Sequence, residues 1–304
     1  MNYAAIIKEI GRGAKGAKDM SREQAQAVFA AILTGEVPDM ELGAMLLSLR
    51  IKGESGDELA GFKMAMDAAT AHVDVPAGPR CVLLPTYNGG RKQANLMPVV
   101  ALLLARAGIP VLIQGRHDFD SRVSPFELLD ALDIQRAASI QEAEAQLAAR
   151  HLAVLPLHVL NPGLDRLLAL RPRLGVRNSG HTLAKMLDPC PRRSVRVIAV
   201  THPPYLVTME QYLRDEDGHA LLMRGTEGEA YAHPRRRPRM LVVEHGVTRV
   251  ACEQGESDAD EMPDADCSVP ANTAIVRAML AGEAPVPTPI LEQVALLKAL
   301  ATGD

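Results

Sequence analysis

Short apolar runs alternate with helical stretches from residue 81 onward, and this alternation constrains the fold more than any other feature. Helical patterns lie between several runs, for example over residues 95–107 and after Ser139, where Glu142 completes a capping box. The runs with the character of buried strands are residues 81–85, 110–115, 152–156, 195–200, 219–223 and 240–244. Strands that alternate with helices predict an α/β fold, with a mostly parallel sheet covered on both faces.

The first 72 residues carry a different pattern, because every signal in them is helical. Ser21 with Gln24 and Ser55 with Glu58 have the spacing of capping boxes, and apolar residues recur at helical spacing between them. We therefore expect a small bundle of about four helices before the first strand.

The change of pattern at the linker Val-Pro-Ala-Gly-Pro, residues 75–79, predicts a domain boundary. We expect a small helical domain over residues 1–74 and a large α/β domain over residues 75–304. Residues 162–189 are helical again and are expected to join the first domain. Two further helices are expected at 271–281 and 287–301.

Composition excludes several classes of protein. The chain has 304 residues, of which 47% are hydrophobic and 23% charged, enough apolar surface for a sizeable core. No apolar run reaches the ~18 residues of a membrane span, and the N-terminus lacks the order of a signal peptide. The four cysteines are far apart and no metal-ligand spacing occurs. We expect a cytoplasmic protein with reduced cysteines, no membrane contact and no bound metal.

The segment 83–108 is the most informative one, because a buried strand runs through a glycine-containing loop into a helix. Loop amides and a helix N-terminus point at the same place in such a unit, which favours an anion. Gly89, Gly90, Arg91 and Lys92 lie in this loop. The alternative is an ordinary tight turn with glycines at positive φ.

Positive charge is clustered although the formal net charge is −4. Residues 253–266 hold seven acidic residues and no basic one, and we consider that they either form a solvated loop or compete with a polyanion. The basic residues gather in the glycine-rich loop 11–18, beside Gly90, over 166–196 and over 235–239. Each group alone is compatible with a solvated face, whereas the set favours nucleic acid.

The segments 41–66, 83–108, 162–189 and 272–283 together resemble the anthranilate phosphoribosyltransferase family. The resemblance implies a small helical domain with a large α/β domain, as in class IV phosphoribosyltransferases and nucleoside phosphorylases, and a homodimer. Residues 11–20, 85–96 and 228–231 look like the YbiB-type branch, whose members keep the fold but bind nucleic acid.

This chain departs from the enzyme pattern where the family binds pyrophosphate and Mg²⁺. The family's GTGGDG loop becomes Pro-Thr-Tyr-Asn-Gly-Gly at residues 85–90, and its Asn-x-Ser-Thr helix start becomes Asn-Leu-Met-Pro at 95–98. The magnesium-holding Asp-Glu pair falls at Ala230 and Tyr231, although a shift of two residues brings in Glu227 and Glu229. Residues that still fit an anion loop are Thr86, Asn88, Gly89, Gly90 and Asn95.

These departures predict a non-catalytic protein that binds single-stranded DNA or RNA without sequence preference. Arg177 matches the arginine that meets the anthranilate carboxylate in the enzymes. Tyr87, Tyr205 and Tyr231 are the candidates for base stacking. The alternatives are a phosphoribosyltransferase with an altered substrate, which would need Mg²⁺, and a protein-interaction scaffold. The predicted phosphate-binding residues are Arg12, Lys15, Lys18, Arg91, Lys92, Arg171, Arg173, Arg177, Arg192, Arg193, Arg235, Arg236 and Arg237.

Overall fold

The structure, a computed structural model, divides the chain into two compact units. Unit 1 comprises residues 1–71 and 157–189, and unit 2 comprises residues 72–156 and 190–304. The structure describes residues 1–13, 15–117, 121–201, 203–216, 218–256 and 267–303, with the backbone alone at Pro203 and Pro204. Most of the acidic stretch predicted to be a loop, residues 257–266, lies outside the described residues.

Unit 1 is entirely helical in its described part. Its first four helices are α1 (Tyr3–Ile10), α2 (Arg22–Thr34), α3 (Asp39–Lys52) and α4 (Gly56–Ala68). The second segment adds α8 (Leu157–Leu160), α9 (Pro162–Ala169), α10 (Arg171–Leu174), α11 (Gly180–Leu183) and the 3-10 turn Ala184–Met186. Helix α9 packs on α2, where the Arg166 guanidinium donates to the Leu33 carbonyl at 2.8 Å.

The two capping boxes expected from the sequence begin α2 and α4. The Ser21 hydroxyl accepts from the Gln24 amide, and the Ser55 hydroxyl accepts from the Glu58 amide. Glu58 is fully buried and also accepts from the Met20 amide at 3.0 Å and from Lys52 Nζ at 2.6 Å. Because its charge is paired and hydrogen-bonded, this buried carboxylate ties the start of α2 to the helices α3 and α4.

Unit 2 is built around a twisted sheet. Its strands are β1 (Cys81–Thr86), β2 (Val111–Gly115), β3 (Leu152–Pro156), β4 (Ser194–Val200), β5 (Ala220–Arg224), β7 (Met240–Glu244) and β8 (Val247–Cys252). A separate two-stranded ribbon pairs β6 (Arg236–Arg237) with β9 (Gly255–Glu256). The order in the main sheet is β3-β2-β1-β4-β5-β7-β8, parallel from β3 to β5 and antiparallel from β5 to β8.

Helices cover the buried strands of unit 2. They are α5 (Met97–Arg106), α6 (Pro125–Asp130), α7 (Ile140–Arg150), α12 (Pro203–Asp215), α13 (Val269–Ala281) and α14 (Thr288–Thr302). One apolar cluster joins α5, α13 and α14 to the strands, with Leu104, Val276 and Leu297 among its fully buried members. The predicted combination of a small helical domain with a large, mostly parallel α/β domain is confirmed. No helix in the described ranges is both long and apolar enough to cross a membrane.

Two elements differ from the expectation. Helix α5 begins at Met97, because the Asn95 side chain accepts from the Met97 amide at 3.2 Å and Pro98 sits in the first turn. Strand β8 was not expected, because its residues are half-exposed and lack a continuous apolar run. A two-residue turn, His245-Gly246, with φ of 50° and 71°, folds β8 back onto β7.

Candidate functional site

The glycine loop expected to hold an anion connects β1 to α5 at the carboxyl edge of the parallel strands. Gly89 has φ of 70°, and a Cβ there would lie 3.0 Å from Arg122 Cβ and 3.1 Å from the Val123 carbonyl oxygen. The amide and carbonyl of Gly90 both pair with Val123 at 2.8 Å. The loop is therefore held tightly against the segment after β2, and its other amides, those of residues 87–89, 91 and 92, take different acceptors.

Those amides are bound by a carboxylate of the same chain. Glu229 Oε1 accepts from the amides of Tyr87, Asn88 and Gly89 at 3.3, 2.9 and 3.1 Å. Glu229 Oε2 accepts from the Thr86 hydroxyl at 2.6 Å. The Glu229 side chain is fully buried, so these four donors replace water as its solvation.

A second carboxylate occupies the following part of the loop. Glu227 Oε2 accepts from the Arg91 amide at 2.5 Å, and Glu227 Oε1 accepts from the Lys92 amide at 2.9 Å. All four oxygens of Glu227 and Glu229 thus receive a donor, and five loop amides point at negative charge. The loop is an anion-binding site whose anions belong to the protein.

The two glutamates are presented by a tight turn after β5. Glu227 and Gly228 have φ of 53° and 89°, the pattern of a type I′ turn, and the Glu229 amide donates to the Thr226 carbonyl at 2.9 Å. A Cβ on Gly228 would lie 2.2 Å from Asn88 Nδ2, so glycine permits the close approach of turn and loop. Strands β1 and β5 both flank β4 and are parallel to it, so their carboxyl ends lie at one edge of the sheet.

The residues predicted to form a residual anion loop are therefore engaged inside unit 2. Thr86, Asn88 and Gly89 bind Glu229, and Gly90 binds Val123. Asn95 is fully buried, where its amide donates to Asn272 Oδ1 at 2.7 Å. Sequence reasoning noted Glu227 and Glu229 only as alternative metal ligands; the Glu-Gly-Glu turn after a parallel strand was the signal for their position.

For two of the three tyrosines predicted to stack on bases, the prediction is wrong, because their side chains are buried. Tyr231 is fully buried and its hydroxyl donates to the Ala94 carbonyl at 3.1 Å. Burial, with the nearby charges of Glu229 and Glu227, raises the pKa of Tyr231 well above its usual value. Tyr87 is 5% exposed and its hydroxyl binds Gln114. Tyr205, at 38%, is exposed.

The basic loop 11–18 of unit 1 connects α1 to α2, as expected, and carries its own counterion. Glu9 pairs with Arg12 at 2.5 Å and with Lys18 at 3.2 Å. The hydrogen bond from Lys18, aided by the charge of Arg12, lowers the pKa of Glu9. Lys15 is exposed, and within the described residues it has no ion pair. All three predicted cations of this loop lie on the surface.

A second positive group in unit 1 forms around His181. Burial and then the charges of Arg177, Arg171 and Arg50 lower the pKa of His181 to about 4. Arg50 lies at the end of α3, Arg171 in α10 and Arg177 in the following loop, so the fold brings together cations from separate segments. Arg173, also predicted, pairs with Asp39 at 3.1 Å on the exposed surface.

Some of the predicted cations of unit 2 lie at the surface, and others contact groups inside the unit. Arg91, Lys92 and Arg192 are exposed. Arg193 is half-buried, and its guanidinium donates to the carbonyls of Pro76 at 2.8 Å and Pro79 at 3.4 Å, so it also fastens the linker.

The three arginines of residues 235–237 also differ in their exposure and contacts. Arg235 and Arg236 are exposed. Arg237 lies between the Glu292 carboxylate at 3.0 Å and the Glu253 carbonyl at 3.1 Å, so part of its guanidinium is engaged inside unit 2. Among the described residues, no three histidine, cysteine, aspartate or glutamate side chains form a group that could hold a metal ion.

Comparison with known proteins identifies a matching domain family and relatives along most of this chain. Residues 4–70 match the helical bundle domain of the glycosyl transferase family. The chain is 40% identical over 308 residues to the uncharacterized protein YbiB of Escherichia coli (strain K12), covering 100% of this chain and 95% of that protein. It is 26% identical over 278 residues to the anthranilate phosphoribosyltransferase of Methylocella silvestris, covering 90% and 79%.

Solved structures agree at the level of the fold. Anthranilate phosphoribosyltransferase (TrpD) from Thermus thermophilus superposes with a TM-score of 0.78 at 23% identity, covering 99% of this chain and 88% of that one. The Saccharomyces cerevisiae enzyme in complex with PRPP and Mg gives 0.76 at 15% identity, covering 99% and 89%. The chain has the fold of the anthranilate phosphoribosyltransferases and belongs to the YbiB family.

Proposed function

We propose that this protein binds single-stranded nucleic acid through its phosphates, without sequence preference and without catalysing phosphoribosyl transfer. The observations that carry the proposal are the exposed cations of the loop 11–18 and the positive group around His181, where burial and then the charges of Arg177, Arg171 and Arg50 lower the pKa of His181. Cations from separate segments that act on one half-buried point create the concentrated positive potential that a polyanion requires.

The exposed basic loop adds a second contact region in the same unit. Arg12, Lys15 and Lys18 are spaced along a loop with glycines at 11, 13 and 16, and Gly13 has φ of 76°. Contacts between exposed cations and phosphates carry no base information, which fits binding without sequence preference. With about six phosphates bound to a single strand, affinity is expected to fall roughly 300-fold between ~50 and ~200 mM salt.

The state of the glycine loop supports a protein without phosphoribosyltransferase activity. A pyrophosphate needs the loop amides, and the Tyr87, Asn88 and Gly89 amides already bind Glu229. The residues present also do not fit Mg²⁺, because the oxygens of Glu227 and Glu229 face N–H and O–H donors whose positive ends repel a cation. Ala230 and Tyr231, the aligned positions of the metal pair, are fully buried and offer no carboxylate.

A homodimer remains part of the proposal. Helix α3 exposes Met40, Leu47 and Ile51, which are 79%, 49% and 61% exposed. These residues are seven and four positions apart and share one face of the helix. An exposed apolar helix face supports self-association. The molar mass measured by light scattering decides between monomer and dimer.

The test is a titration of labelled single-stranded DNA at two salt concentrations with Lys15→Glu and Lys15→Glu/Lys18→Glu. We expect the double variant to bind about tenfold more weakly and to lose about 1.4 from the salt slope, because two phosphate contacts disappear. Lys298→Glu, which changes an exposed lysine of α14 by the same charge, is the matched control.

An activity assay separates the remaining alternatives. Release of pyrophosphate from phosphoribosyl pyrophosphate, with anthranilate and Mg²⁺ present, is measured on the same preparation. Salt-sensitive DNA binding without turnover is the expected result. Turnover would instead identify a phosphoribosyltransferase, and absence of both activities would leave a protein-interaction scaffold.

A further inference from the structure

The contacts of the turn 226–229 resemble those of a bound ligand more than those of an ordinary turn. Five consecutive or nearly consecutive amides and one hydroxyl of the loop 86–92 converge on two carboxylates from a segment more than 130 positions away. Two neighbouring groups, each negative and each accepting through two oxygens, have the charge and acceptor pattern of a diphosphate.

We propose that Glu227 and Glu229 are built-in ligands of this loop, which exclude small phosphates from it, and that removing both carboxylates opens a binding site for a diphosphate. This inference does not depend on nucleic-acid binding. It assigns to two residues the selectivity of the loop against inorganic pyrophosphate and related anions.

The buried amides of the loop need a hydrogen-bond acceptor, and this need supports the proposal. Tyr87, Asn88 and Gly89 are buried, so their amides lose their acceptor when Glu229 is removed, and only water or an anion that enters the vacated space can replace it. An unpaired buried amide is unfavourable, and three in sequence create a strong demand for an acceptor. Because the side chains of Arg91 and Lys92 are exposed beside the loop, additional positive charge is available for an anion.

The loop and the turn have supports that do not use the two carboxylates. Gly90 pairs with Val123 through both backbone groups, and the Arg122 guanidinium donates to the Asn88 carbonyl at 3.2 Å. In the turn, the Glu229 amide donates to the Thr226 carbonyl and the Thr226 amide donates to the Tyr231 carbonyl at 3.1 Å. A variant without the carboxylates therefore retains the backbone geometry that presents the amides.

The experiment compares thermal unfolding of the wild-type chain, Glu227→Ala, and Glu227→Ala/Glu229→Ala in buffer with and without millimolar inorganic pyrophosphate. Ionic strength is kept constant with sodium chloride. We expect no stabilisation of the wild type, and an increase of about 5 °C in the unfolding midpoint of the double variant, because a ligand that binds only the folded state raises its stability. Glu283→Ala removes the negative charge of an exposed glutamate after α13 and is the control for the loss of charge.

Two results would overturn the inference. One is a folded double variant whose midpoint does not respond to pyrophosphate. The other is a wild-type response of the same size as that of the variant, since the carboxylates would then not exclude the anion. If the double variant does not fold, Glu227→Ala decides, because Glu227 is only partly buried and its removal frees the Arg91 and Lys92 amides for one phosphate group. We then expect a smaller increase of the midpoint with pyrophosphate, and no increase would overturn the inference. A DNA titration on the same variants shows independently whether the proposed nucleic-acid binding holds.

Discussion

The loop 11–18 in unit 1 and the loop 86–92 in unit 2 are both glycine-containing connections that meet carboxylates of their own chain. In the first, exposed side chains of Arg12 and Lys18 pair with Glu9, which is itself 39% exposed. In the second, backbone amides bind a fully buried Glu229. Exposed pairs contribute little and exchange readily, whereas a buried, fully hydrogen-bonded carboxylate is replaced only with difficulty. The loop 11–18 is thus open, with its cations at the surface, whereas the loop 86–92 is closed, because carboxylates of the chain already bind its amides.

The largest expected effect concerns His181 in unit 1, whose pKa is lowered by burial and by the positive group around it. Burial and Arg177, Arg171 and Arg50 lower the pKa of His181 from 6.5 to about 4. Between these values the unfolded chain binds more protons at this residue, so the free energy of unfolding decreases as pH falls from 6.5 to 4. The loss is about 3 kcal/mol. Urea unfolding at several pH values should show a shallower pH dependence for His181→Asn, and an identical dependence would contradict the lowered pKa of His181.

A smaller effect is expected at the closed loop 86–92, where Gly228 allows the turn 226–229 to approach the loop. Gly228→Ala places a Cβ at positive φ and 2.2 Å from Asn88 Nδ2, and we expect about 2 kcal/mol of destabilisation in chemical unfolding. Gly282→Ala is the control, because it has a similar φ of 77° and no atom within 4 Å of the added Cβ. The control should lose about 1 kcal/mol. Equal losses would show that the close approach of turn and loop is unimportant.

The smallest effect tests whether the counterion of the open loop competes with phosphate. Glu9→Gln removes the partner of Arg12 and Lys18 and should strengthen single-stranded DNA binding about threefold at low salt, because an exposed ion pair competes only weakly with phosphate. The advantage should vanish at high salt. Unchanged or weaker binding at low salt would mean that these cations do not reach the nucleic acid.

Local patterns predicted the elements well, because their signals lie within a few residues. The capping boxes at Ser21 and Ser55 and the apolar runs of β1 to β5 appear where the sequence places them. Strand β8 was missed because its residues are only partly buried, so the apolar signal is weak. The burial of Tyr231 was missed because a polar tip on an aromatic side chain is compatible with either surface or core.

The sequence by itself determined the two-part fold, the glycine loop after β1 and the surface cations of the loop 11–18. Each depends on residue type and short spacing, which act locally during folding. Only the tertiary structure decided which anion the glycine loop holds and which arginines are internally engaged. Glu229 lies 140 residues from Gly89, and their contact follows from the shared edge of β1, β4 and β5. Long-range pairing of a carboxylate with backbone amides leaves no local pattern, because an amide donor is present at nearly every residue.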